Sequence, residues 1–232
     1  MRCIVLGADS DSSASPRLKS QRPLRNVGAG MAKSIRDPKA RDRIVEAAAR
    51  SVAAHGINGA SIRVIATEAG VSTGFITHYF AGKHEVMEAV LEAVNARAAR
   101  RVLRAIRTDL PALDRLRSAA EALLPVDPQR RQDWQVWVAV WGEASKGDSL
   151  AVGYRRGWVG LRDMLVGLLV EAQEEKQLHS DTDVEHRADR LVTLLAGIGL
   201  LAGVERPARV RELAARMLAE ELARLGDPQP LP

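Results

Sequence analysis

The sequence predicts an all-α protein, with a small trihelical helix-turn-helix unit near the N-terminus and a larger helical domain behind it. Three observations lead there. The 232 residues are rich in Ala, Leu, Val, Arg and Glu, with only eight aromatics and few β-branched runs, a composition that favours helix. Apolar residues recur at i, i+3, i+4 and i+7 in one segment after another. Residues 61–83 read as two short helices joined by a tight turn and followed by a third.

Taken in order, residues 1–36 hold DSDSSASP and scattered bases without periodicity, and are expected to form a disordered basic extension, with Met31 as an alternative start. Asp37 can cap a first helix with Pro38 at its first position; Ile44, Val45, Ala48, Val52 and Ala53 form its inner face until His55-Gly56 ends it. Ser61 stands as N-cap of a second helix whose Ile62, Ile65, Ala66 and Ala69 share a face, and Gly70 supplies the left-handed residue that stops it. Val71 plugs the turn and Ser72 caps the third helix.

In that third helix Ile76 and Phe80 face inward, which turns Gly74, Thr77 and His78 outward. A helix presenting donors, acceptors and a bare glycine suits a DNA major groove. Ser61, Arg63, Ser72 and Thr73 join the candidate DNA-contacting set, with Tyr79 expected on the flank, its hydroxyl within reach of a phosphate. Lys83 opens the next helix, where a cation beside free amides makes a phosphate clamp.

A long helix follows, with Val86, Met87, Val90, Leu91, Val94, Ala98, Val102 and Ile106 on one face, a connecting rod between domains. Its acidic start and basic end match the helix dipole, so Arg97, Arg100, Arg101, Arg104 and Arg107 read as a solvent face. Further helices are expected over 111–124, 130–145, 148–176, 181–204 and 207–225, with a break at Lys146-Gly147 and a tail over 226–232.

The net charge of +5 is uneven: residues 31–83 carry eight Lys or Arg against four acids, and residues 1–30 five against two. Such a basic front fits phosphate contact, though an ordinary solvated surface reads equally well. Cys3 is the sole cysteine, which excludes a disulfide framework and thiolate metal sites. The longest uncharged run, residues 191–204, is too short to span a bilayer, and a cytoplasmic protein without membrane contact is expected. The five histidines form no HExxH pair, Gly82-Lys83 lacks the spacing of a phosphate loop, and no serine sits in a G-x-S-x-G elbow. Neither an enzyme nor a cofactor is therefore expected.

Trp134, Trp137, Trp141, Tyr154 and Trp158 all lie within 25 residues. The tryptophans at i, i+3, i+7 share one helix face and Tyr154 and Trp158 share the next, so they can wall an effector pocket or fill a helical core. An aromatic box would hold a quaternary ammonium by cation–π attraction. Glu143 and Asp163 are turned away from it, so a counter-ion must come from Glu92 or Glu121, and nearby arginines leave a neutral or anionic apolar effector open.

Residues 61–83 resemble the DNA-binding domain of TetR-family transcriptional regulators in Ser61, Ile65-Ala66, Ala69-Gly70-Val71-Ser72, Gly74, Tyr79-Phe80 and Lys83. They depart from the family at Thr77, where a Tyr is common. The form Thr73-Gly74-Phe75-Ile76-Thr77-His78-Tyr79-Phe80 is similar to the choline-responsive Bet repressors of that family, as is the Trp137-x-x-x-Trp141 spacing. The resemblance implies a homodimer on a near-palindromic double-stranded DNA operator, released by a small-molecule effector. It also implies a helix-turn-helix domain over 37–83 and an effector-binding and dimerisation domain over 84–225. The last two helices would then form the dimer interface, through Leu191, Leu195, Ile198, Ala202, Val210, Leu213 and Met217. A helical interaction adaptor that does not bind DNA is the competing class.

Overall fold

A computed structural model describes residues 38–144 and 149–226. The expected extension over 1–36, the Asp37 cap, the Lys146-Gly147 break and the tail beyond Gly226 lie outside them. Among the described residues the regular structure is helical: α1 (Pro38–Gly59), α2 (Ile62–Ala69), α3 (Thr73–Tyr79), α4 (Lys83–Ala105), α5 (Ala112–Leu123), α6 (Pro128–Ala144), α7 (Ser149–Glu174), α8 (Val184–Leu201) and α9 (Pro207–Ala223), closed by a 3-10 turn over Arg224–Gly226.

The local signals act where the sequence places them. Gly56 breaks α1 with φ 67° and ψ 174°, and the chain resumes a last helical turn to Gly59. The Ser61 hydroxyl accepts from the Val64 amide at 3.2 Å and the Ser72 hydroxyl from the Phe75 amide at 3.1 Å, each satisfying one free donor of a helix start. Gly70 is left-handed at φ 67°, ψ 34°, and its amide returns to α2 carbonyls. The Asp183 carboxylate caps α8 by accepting from the His186 amide at 3.0 Å.

Two apolar cores organise the packing. The N-terminal core joins Ile44 and Val52 of α1, Ile65 of α2, Ile76 and Phe80, and Val86, Val90 and Val94 of α4 with Val136 and Val140 of α6. The second joins Ala98 and Val102 of α4 with Leu116 of α5, Trp134 of α6, Leu165 and Leu169 of α7, Leu191 and Leu195 of α8, and Val210 and Leu218 of α9. Helix α4 therefore belongs to both, its first half to one and its second half to the other.

The arginines of α4 correct the expected solvent face. Arg97 donates to Asp133 Oδ1 at 2.9 Å and to Glu46, and Arg101 donates to Asp133 Oδ2 at 2.8 Å. Asp133 on α6 is fully buried, and its charge draws these two cations inward, while Arg100, Arg104 and Arg107 stay exposed. Amphipathic periodicity cannot foresee a buried carboxylate on another helix.

The expected dimer residues also need correction. Leu191, Leu195, Ile198, Ala202 and Val210 are at most 2% exposed within a single chain, because α8 turns its most apolar face onto Trp134, α5 and α7. Only Leu213 and Met217 of that set are partly accessible.

Candidate functional site

The outer surface of the helix-turn-helix is formed by α3 and the start of α2. Thr73, Gly74, Thr77 and His78 are exposed, as are Ser61, Arg63 and Ser72, so these candidates share access to solvent. Ile76 and Phe80 anchor α3 from beneath at 0% and 1% exposure. The Thr77 hydroxyl donates to the Gly74 carbonyl at 3.0 Å, which orients it and leaves its oxygen as an acceptor toward a groove.

Tyr79, expected on the flank, is largely covered. It is buried with its ring 5.2 Å from that of Phe75 and 5.3 Å from that of His78, so it serves first to prop the helix. Lys83 begins α4, where its ammonium lies 3.5 Å from the Asn58 carbonyl of α1. The Glu85 carboxylate accepts from the Ala81 amide at 2.6 Å, and an Arg50–Glu68 pair at 2.7 Å ties α1 to α2. These contacts tie together the helices around α3.

The second feature is a half-open cavity of about 1090 Å3 lined mainly by α4, α6 and α7. Its walls include Trp134 and Trp137 from α6, Tyr154 and Trp158 from α7, and Glu88, Glu92 and Asn95 from α4. The Trp134 indole donates to the Leu123 carbonyl at 2.7 Å and the Trp137 indole to Asn95 Oδ1 at 2.9 Å, with the two rings edge to face at 4.9 Å. Tyr154 and Trp158 lie stacked, centroids 6.0 Å apart and 23° between planes. Burial pushes the Tyr154 hydroxyl above its ordinary pKa, against an opposing hydrogen bond from Trp141, so it remains protonated at neutral pH.

Trp141 is the exception among the expected effector residues. It is absent from the wall and packs behind Tyr154 and Trp158 at 5.7 and 6.0 Å, so it supports the box from outside. Trp134 borders the cavity yet is 3% exposed, wedged so tightly over Gly199 of α8 that a Cβ there would sit 2.0 Å from its ring. Trp134 thus serves both wall and core, Trp137, Tyr154 and Trp158 line the cavity, and Trp141 packs behind it. Of the two carboxylates proposed as counter-ions, Glu92 reaches the wall and Glu121 does not.

Asn95, Glu88 and the α7 glycines were missed by a search for aromatics. Their signal lies in spacing: Glu88, Glu92, Asn95 and Ala99 follow one face of α4, and Gly153 and Gly157 lie one turn apart on α7. A Cβ on Gly153 would stand 3.2 Å from Leu91, and one on Gly157 would stand 3.0 Å from Asn95. Matching pairs 91/153 and 95/157 show that α4 and α7 run in the same direction at close approach. Among the described residues no cluster of His, Cys, Asp and Glu could hold a metal, and no helix is long and apolar enough to cross a membrane.

Known proteins are similar to the chain over both of these regions. Residues 44–90 match the family described as bacterial regulatory proteins, tetR family, and residues 112–226 match the BetI-type transcriptional repressor C-terminal family. The HTH-type transcriptional regulator PksA of Bacillus subtilis is 31% identical over 183 residues, covering 78% of this chain and 87% of its own length. The regulator BetI of Vibrio vulnificus is 27% identical, covering 78% and 89%. Among solved structures, a transcriptional regulator of Saccharomonospora viridis in complex with choline superimposes with TM-score 0.70 at 26% identity, over 79% of this chain and 97% of that one. These relatives are transcriptional regulators, not enzymes. A capped helix-turn-helix in front of a helical cavity, matched by both families, places this chain in the TetR family of DNA-binding transcriptional regulators, with a BetI-type C-terminal domain.

Proposed function

We propose that the protein is a ligand-released repressor that binds a near-palindromic operator as a homodimer, and that its effector is an organic cation held in the α4/α6/α7 cavity. One observation carries the reading: α4 is both a structural member of the trihelical core, through Val86, Val90 and Val94, and a wall of the cavity, through Glu92, Asn95 and Ala99. A ligand that favours a different seat for α4 must also shift the reading helix. A coupling of about 1–3 kcal/mol would weaken operator affinity about five- to 150-fold.

Support for the cation comes from the two carboxylates against one guanidinium, Arg156, on the cavity wall, from the stacked Tyr154 and Trp158, and from the choline named in the Saccharomonospora complex. Support for the dimer comes from the side of α8 and α9 that faces away from the core. Thr193, Leu194, Gly197, Leu201 and Met217 line a groove there, and Leu200 on the same helix is 50% exposed. Two copies joined through this face would set two α3 helices in successive major grooves roughly 34 Å apart.

Fluorescence anisotropy with labelled DNA from the protein's own upstream region tests the reading. Sequence-specific binding that weakens steeply with salt, and that is reversed by a quaternary ammonium, is the expected result. Binding no stronger than to scrambled DNA would overturn it.

A further inference from the structure

The size and polarity of the cavity are wrong for a choline-sized effector acting alone. Choline has about seven non-hydrogen atoms, far fewer than the drug-sized ligands that fill pockets of about 300–1,000 Å3. The cavity holds about 1090 Å3, at the upper end for a drug-sized ligand.

Its polarity is graded along its length. Because α4 and α7 run in the same direction, Glu88 and Glu92 stand toward the Gly153 end, while Val102 and Leu103 stand toward the end formed by Leu161 and Met164. Tyr154 adjoins Gly153 at the charged end and Trp158 stands one turn further along, the two rings stacked. Glu88 has a nearby cation, with His84 at 3.5 Å when that imidazole is protonated. Glu92 is exposed, and no hydrogen bond or ion pair occupies its carboxylate among the described residues. One end thus offers two carboxylates against the single guanidinium of Arg156, next to aromatic faces, and the other only hydrocarbon.

Resting on the effector reading above, we infer that the ligand class is a bulky amphipathic monocation, with its charge at Glu92 and its apolar body of roughly 15–30 non-hydrogen atoms extending toward Val102 and Met164. The ring faces of Tyr154 and Trp158 take the junction between head and body. Choline would occupy the charged end alone and leave the apolar end wet.

Calorimetric titration of the full chain with tetraphenylphosphonium, tetraphenylborate and choline separates the possibilities. The first two share one shape of about 25 non-hydrogen atoms, a drug-sized body, and differ in sign of charge. The expected result is that the phosphonium binds at least about tenfold tighter than either other ligand, and that Glu92→Gln loses at least about tenfold of that affinity. Glu92 is an exposed helix residue, so Gln keeps the fold, which an unchanged thermal midpoint verifies. Choline binding as tightly as the phosphonium would overturn the bulky ligand but leave the cation reading standing. Tetraphenylborate binding as tightly, or no binding by any of the three, would overturn both. Unaltered phosphonium affinity in Glu92→Gln would remove the charged anchor.

Discussion

At residue scale, the outward side chains of α3 and the first residue of α4 should separate specificity from affinity. Thr77 and His78 are exposed on the reading helix, with Gly74 beside them leaving room for close approach. His78→Ala is expected to change operator preference at one or two base positions, by about 1–3 kcal/mol for each discriminated base. Lys83→Ala should instead weaken binding evenly across sequences and flatten the slope of log affinity against log salt by roughly one. Binding to a panel of operator variants at several salt concentrations reads both effects. An unchanged preference in His78→Ala would remove that residue from the groove. Most of this surface was legible in the sequence because cap, turn glycine and i, i+4 apolar pair act locally. The burial of Tyr79 was not legible, because a flank position on a seven-residue helix can still be covered by the neighbouring rings of Phe75 and His78.

At element scale, α4 is held by charge as well as by apolar packing. Arg97 contacts Glu46 on α1 and Asp133 on α6, one residue before Trp134, so a single guanidinium spans three helices and joins the trihelical core to the cavity wall. Asp133 has no exposed surface, and among the described residues the Gln129 amide reaches it at 3.3 Å besides the two arginines. Asp133→Asn leaves Arg97 and Arg101 without their shared counter-charge and is expected to destabilise the protein by about 3–5 kcal/mol, the usual cost of breaking a buried ion pair. Glu46→Gln acts on a carboxylate 44% exposed and should cost less than about 1 kcal/mol. Urea unfolding of both variants checks the contrast; equal losses would show that the buried carboxylate is not the anchor. The helix itself was readable from its long apolar stripe. Its ion pairs were not, since they depend on which residue of α6 comes to lie against it.

At the scale of the whole molecule, two glycines of α8 point in opposite directions. Gly199 faces the interior against Trp134, whereas a Cβ at Gly197 meets nothing within 4 Å in the same chain. Gly199→Ala should therefore overpack the core, with a loss of about 1–3 kcal/mol in unfolding free energy. Gly197→Glu should leave the isolated fold intact but place a charge in the groove beside Leu194, Leu201 and Met217. Sedimentation velocity is expected to show a dimer for the unaltered protein and a monomer for Gly197→Glu. A dimer persisting in that variant would move the interface away from this face. Ion pairs at the edge of the groove keep its polar groups satisfied: Arg190 forks onto Glu221 at 2.7 and 2.8 Å and holds that carboxylate below its ordinary pKa.

The sequence by itself determined the helical class, the capped helix-turn-helix, the rod that follows it and the existence of an aromatic cluster. Each of these depends on contacts within a turn or two of helix, and such contacts are encoded by spacing. The tertiary structure alone decided which aromatics border the cavity and which stand behind them. It likewise decided that Arg97 and Arg101 turn inward and that the most apolar face of α8 is spent inside the chain. The physical reason is common to all three: a side chain's spacing along its helix gives its direction, but only the neighbouring helix supplies the buried carboxylate, the ring or the open groove that it meets.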